Sequence, residues 1–203
     1  MAIDEPLPTG YVYVTARTTY LQMFRPDDPT EALPAEVDRA LADVAPVRWS
    51  NPPLDEYREL FHAVGGPWGW TGRLLMTDDE LRATLSDPAI EVWRILAGGE
   101  VAGFIELDTR EAGDVEIVYF GFLPEWTGRG LGGKVLRWAA THTWDMPDRR
   151  RLWLHTCDFD HPKAPAVYER AGFRVYAEHT GPEAYPAEHV ARLAREAAQP
   201  NKR

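Results

Sequence analysis

The chain has 203 residues, 44% of them hydrophobic, enough to bury one sizeable core. Its net charge of −10 at pH 7 argues against a surface for nucleic acid or an anionic membrane, because both depend on clustered Lys and Arg. A single cysteine, Cys157, excludes an internal disulfide framework, no apolar run approaches the roughly 18 residues of a membrane span, and residues 1–10 are not a signal segment, so a soluble cytoplasmic protein is expected.

Residues 11–24 are dense in β formers and predict a first strand, interrupted near Ala16 and Arg17. Pro34 can open a helix with Val37, Leu41 and Val44 on one face. A second helix follows over residues 54–64, burying Tyr57, Leu60, Phe61 and Val64. Residues 65–73 hold two Trp and four Gly and predict a loop carrying large rings; Trp68 and Trp70 either plug the core or wall a pocket. Thr77 to Glu80 is a capping box that opens a helix through Leu85. Strands over 90–97 and 101–108 are joined at Gly98 and Gly99, a hairpin signal. A third strand, 115–122, ends at Pro124.

The turn after it, Thr127-Gly128-Arg129-Gly130-Leu131-Gly132-Gly133, leads into a helix over 134–144. Glycine lets the backbone approach a ligand closely, and free N–H groups at a helix start attract anions, so this turn predicts a phosphate cradle. The dinucleotide and nucleotide-triphosphate glycine patterns do not fit its spacing. A strand over 151–157, a helix from Pro162 to Ala171, a strand over 173–178 and a surface helix over 186–198 complete the chain. The order predicts an α/β protein with a mixed central sheet flanked by helices.

The turn resembles the acetyl-CoA-binding motif of the GNAT superfamily of N-acetyltransferases, Gln/Arg-x-x-Gly-x-Gly/Ala between a strand and a helix, with Thr127 in the first place. A second stretch, residues 161–173, resembles that family's Asn-x-x-Ala-x-x-Leu/Phe-Tyr-x-x-x-Gly-Phe; Ala164, Tyr168, Gly172 and Phe173 keep the spacing and His161 replaces Asn. The resemblance covers roughly residues 75–180 and implies the GNAT fold in one domain: residues 1–74 on the acceptor side, 75–180 as acetyl-CoA-binding core, 181–203 as a tail helix. It implies acetyl transfer from acetyl-CoA to a primary amine of a small or amino-acid-like molecule, without a metal, and it leaves a homodimer open. A catalytically silent acyl-CoA-binding module and transfer of a longer acyl group are the alternatives.

Such transfer needs a base for the amine, donors for an oxyanion and an acid for the thiolate. Glu116, flanked by Val115, Ile117 and Val118, is the candidate base; it lies eleven residues before Thr127, as the histone-acetyltransferase branch places its glutamate. Glu106 is the first alternative and a candidate acceptor contact with Trp68 and Trp70; Glu91 and Glu125 follow. Tyr168 matches the family tyrosine near the CoA sulfur. By the same resemblance, main-chain groups of Phe122 and Leu123 would hold the pantetheine arm. Thr127, Gly128, Arg129, Gly130, Leu131, Gly132 and Gly133 would cradle the pyrophosphate, and His161, Ala164 and Tyr168 would complete the cofactor contacts. Arg149, Arg150 and Arg151 make a solvated turn or reach the 3′-phosphate. His155, Cys157 and His161 lack the partners of a metal site or a thiol nucleophile.

Overall fold

The computed structural model describes residues 7–27 and 44–198. In chain order the elements are β1 (Tyr11–Phe24), β2 (Val44–Arg48), α1 (Leu54–Gly65), α2 (Asp78–Ser86), β3 (Ile90–Ala97), β4 (Glu100–Asp108), β5 (Asp114–Phe122), α3 (Gly132–Asp145), β6 (Arg151–Cys157), α4 (Ala164–Arg170), β7 (Arg174–Pro186) and α5 (Ala187–Ala197). The strands form one mixed sheet in the order β2-β3-β4-β5-β6-β1-β7, in which only β5 and β6 run parallel.

Strand alternation sends side chains to two separate cores, one on each face of the sheet. On one face Val115, Ile117, Leu152 and Leu154 pack with Val135, Leu136, Ala139 and Ala140 of α3. On the other, Val92 and Phe104 pack with Tyr57, Phe61 and Val64 of α1 and Leu81 and Leu85 of α2. Burying side chains of this size stabilises by about 1.5–3 kcal/mol each before entropy is counted. The capping box at Thr77 forms with both of its hydrogen bonds, and Gly98 and Gly99 take positive φ in the β3–β4 hairpin. Among the described residues no helix is long and apolar enough to cross a membrane.

Three elements differ from expectation. β1 is not interrupted near Ala16; it runs unbroken because it pairs on both sides, with β6 from Thr18 to Phe24 and with β7 from Tyr11 to Gln22. The helix expected from Pro34 lies outside the described residues, except that Val44 opens β2 opposite Ala97. β7 extends eight residues past Glu178, through Gly181 and Pro182. Pro182 is tolerated because β7 is an edge strand paired only with β1, so a missing N–H need cost no ladder bond.

Candidate active site

The parallel strands β5 and β6 pair only from Asp114–Arg151 to Ile117–Leu154. Beyond that they diverge. Val118 is an extra residue on β5 relative to β4, since Tyr119 faces Glu106 and Ile117 faces Leu107. A bulge of this kind bends its strand away from the regular ladder. A cavity of about 950 Å³ occupies the gap, lined by residues from both faces of the sheet.

On the α3 face the wall is Phe122, Trp126, Thr127, Gly128, Leu131 and the first turn of α3, with Ala164, Val167 and Tyr168 of α4 opposite. Gly128 and Gly130 have φ of +81° and +78°, a left-handed conformation that bends the loop and that other residues adopt at a cost. α3 begins at Gly132 with no side-chain cap, so its first N–H groups are free for an anion. Three basic side chains line the cavity, Arg137 on α3, Lys163 before α4 and Arg170 at its end. The Arg137 Nε is buried and has no hydrogen-bond partner among the described residues. A glycine cradle with uncapped donors and an orphaned buried guanidinium nitrogen fits a pyrophosphate-bearing cosubstrate.

The other mouth is aromatic and acidic. Tyr20, Trp68, Trp70, Tyr119 and Tyr185 line it together with Asp160, Glu183, His155 and Cys157. Trp70 fills two roles, since its ring packs against Phe61 and Tyr119 while it lines the cavity, and its indole N–H donates to Asp160 Oδ1 at 2.9 Å. Asp160 Oδ2 accepts from Thr156 Oγ1 at 2.8 Å and the Cys157 N–H at 3.0 Å, which fastens the aromatic loop to the end of β6. Trp68 faces the His161 ring, with centroids 5.0 Å apart. Cys157 Sγ lies 2.8 Å from the Tyr185 hydroxyl, and burial raises the pKa of both groups.

Glu116 lies on the acceptor face of β5, one residue short of the cavity wall. Desolvation first, and the Asp108 carboxylate next, push its carboxyl up to about 7. On the wall beside it is His155, with Nε2 3.8 Å from Glu116 Oε1. Tyr168 lines the cavity, and burial raises its hydroxyl pKa above the ordinary value. His161 also lines it, but Nδ1 accepts the Lys163 N–H at 3.0 Å, leaving Nε2 as the nitrogen that can turn to a ligand.

Three expected contacts are corrected. Glu106 is not on the cavity wall; it is fully buried, accepting from the Tyr57 hydroxyl at 2.6 Å and pairing with Arg73, so both carboxylate oxygens are taken. The Leu123 N–H donates to the Ala102 carbonyl and its own carbonyl accepts from Trp126 and Thr127, leaving no main-chain group for a ligand. The Arg129 side chain stacks on Trp126, 4.6 Å from the ring centroid, and does not line the cavity. Glu91 is held by Arg48, Trp93 and His142 on the α3 face. Arg149 and Arg151 tie strand ends together through Thr109, Glu111, Asp114 and Gln22. Arg137, Arg170, Tyr20, His155, Asp160, Glu183 and Tyr185 were not expected as wall residues. Of these, His155 alone stood in a cluster that the sequence singled out, beside Cys157 and His161.

A sheet split at one parallel pair, with an anion cradle on one face and an aromatic pocket on the other, defines the class of acyl-CoA-binding transferases. The chain belongs to the acetyltransferase (GNAT) family, whose model matches residues 46–173. No curated protein matches it. Among solved structures it is similar in fold to a conserved protein of unknown function from Staphylococcus epidermidis, with TM-score 0.59 and 15% identity, covering 90% of this chain and 69% of that one. An acetyltransferase from Thermus thermophilus gives TM-score 0.52 at 20% identity, over 70% of this chain and 99% of that one. A spermidine N-acetyltransferase from Vibrio cholerae, in complex with CoA and spermine, gives 0.53 at 16% identity, over 73% and 99%.

Proposed function

We propose that this chain transfers an acetyl group from acetyl-CoA directly to a primary amine of a small molecule or amino-acid-like acceptor in the cytoplasm. The observation that carries the reading is the cavity through the sheet, with basic side chains and a glycine cradle toward α3 and aromatic and acidic side chains toward the other face. A cationic amine is attracted by such a mouth through ring quadrupoles and through Glu183, and among the described residues no Lys or Arg on β1, β6, β7 or the aromatic loop lines it to oppose that charge. That the Vibrio cholerae structure holds CoA and spermine supports an amine acceptor by analogy of fold.

When bound, acetyl-CoA would supply the acyl group as a thioester. Gly128, Gly130, Gly132 and Gly133 offer N–H groups to its pyrophosphate, and Arg137 adds a guanidinium. The Tyr168 hydroxyl lines the cavity, is protonated at neutral pH as an ordinary phenol is, and would give a proton to the departing sulfur. Glu116, raised to about 7, ends with the proton that the amine gives up. A cavity beside Tyr168 weighs against a silent acyl-CoA-binding module, which would need none toward the acceptor face.

Calorimetry with acetyl-CoA tests the reading, on the wild type and on Gly130→Asp. A Cβ at Gly130 meets nothing within 4 Å, but its φ of +78° strains any side chain, so circular dichroism must show the variant folded before its binding is compared. Wild-type binding that weakens at least about tenfold in the folded variant is expected, from one repelled phosphate contact. A well-folded wild type that binds no CoA species overturns it.

A further inference from the structure

Glu116 carries the elevated pKa, yet it lies one residue short of the cavity wall. His155 stands between. It is the next position outward from Leu154, the last residue of β6 paired with β5, where the two strands begin to part. Its ring is half-exposed, with 47% of the side chain accessible, and that exposure is toward the cavity it lines. Nε2 lies 3.8 Å from Glu116 Oε1, longer than a hydrogen bond, as catalytic contacts often are before substrate arrives. Tyr20 of β1 packs against the same imidazole, with centroids 5.8 Å apart.

We propose that the His155 imidazole takes the proton from the acceptor amine and passes it to Glu116, which acts behind it as a positioning residue and proton store. The proposal rests on the transferase reading above. With the Nε2–H turned to the Glu116 carboxylate, Nδ1 carries the lone pair, and no hydrogen bond among the described residues engages it. The ammonium proton of the acceptor moves to Nδ1 while the Nε2 proton moves to Glu116, and the neutral nitrogen then bonds to the thioester carbonyl carbon. The carbon–sulfur bond breaks, the thiolate takes the Tyr168 proton, and the proton left on nitrogen goes to solvent. Exchange with solvent removes the Glu116 proton, returns one to Tyr168 and moves the His155 proton from Nδ1 back to Nε2, so the net reaction is ammonium plus thioester to amide plus thiol plus one proton.

The groups that face His155 are Glu116 from β5, Tyr20 from β1, Asp160 from the loop after β6 and Glu183 from β7. Desolvation lowers the imidazole pKa, and Asp160 and Glu183 oppose it. The imidazole is therefore mostly neutral at pH 7, ready to accept a proton. Asp160 is no rival, because both its oxygens already accept hydrogen bonds. Glu183 is the rival, since it also lines the cavity.

The test compares wild type, His155→Gln and Glu183→Gln for acetylation of phenethylamine, tryptamine and spermidine between pH 6.5 and 9.5. His155→Gln is expected to lower kcat/KM about 100-fold at pH 7 and far less at pH 9.5, where a much larger fraction of the amine is already neutral. Loss of structure alone would lower both equally, and that result overturns the relay. So does a pH profile flattened by Glu183→Gln and not by His155→Gln. A wild type that acetylates none of the three amines overturns the transferase reading and the relay with it. Activity undiminished in His155→Gln overturns the relay alone. The second readout needs neither donor nor acceptor: NMR titration of the His155 ring in wild type and Glu116→Gln. Removing the carboxylate is expected to lower the imidazole pKa by about half a pH unit or more. An unchanged titration overturns the pairing.

Discussion

Glu116→Gln replaces a partly buried carboxyl by a neutral group of the same shape, and the side chain is only 21% exposed, so the change acts mainly on charge. In the folded protein the carboxyl sits at about 7 instead of 4.5. The folded value lies above the unfolded one, so the folded state holds the extra proton between those limits, and stability falls as pH rises through that window. At 1.36 kcal/mol per pH unit the ionisation of Glu116 costs the folded protein about 3 kcal/mol at pH 8. Partial solvent access reduces this to about 2 kcal/mol. Urea denaturation at pH 4.5 and pH 8 measures it. Glu116→Gln is expected to match the wild type at pH 4.5 and to exceed it by about 2 kcal/mol at pH 8, a rise in Tm of roughly 4–8 °C. An equal difference at both pH values, or a variant less stable at pH 8, would refute the desolvation argument.

Two further substitutions test the supports of the site. Arg73→Met leaves Glu106 as an uncompensated buried charge and should destabilise by about 3–5 kcal/mol in denaturant, with much of the loss recovered by adding Glu106→Leu. If Arg73→Met is silent, the pair does not hold the aromatic loop to β4. Gly65→Ala drives a methyl into the Trp70 ring, so Trp70 must leave its position. Amine KM should rise while acetyl-CoA affinity, measured by calorimetry, stays within about twofold, because the cradle lies on the opposite face; equal losses of both would contradict the two-mouthed cavity.

How far the sequence could be read depended on the separation of the partners. The hairpin at Gly98 and Gly99, the capping box at Thr77 and the strand, glycine turn and helix from Asp114 to Asp145 are local, and local chemistry decides them. Trp68 and Trp70 stood out by composition, and the structure places both on the wall. Glu106 was misjudged because its partner Arg73 lies 33 residues away, and strand alternation cannot reveal an ion pair across that distance. The second half of β7 looked like a loop because Gly181 and Pro182 break local β propensity, whereas its pairing with residues 11–17 is made across some 170 positions. The wall contributed by Tyr20, Glu183 and Tyr185 follows from that same pairing, so it was invisible with it. His155 carried a local signal, its place beside Cys157 and His161, but its closeness to Glu116 depends on β5 and β6 being neighbours.

β1 lies between β6 and β7, so the acceptor half of the sheet is closed by strands far apart in sequence. The middle strands can zip as local hairpins, β3 with β4 and β4 with β5, while β1 has no partner until residues 151–157 exist and no second one until residues 174–186 do. Loop closure of this length makes for slow folding and a long interval in which β1, rich in Tyr, Val and Thr, is an unpaired edge. Tyr11 finally sits opposite Pro186, which puts residues far apart in sequence side by side.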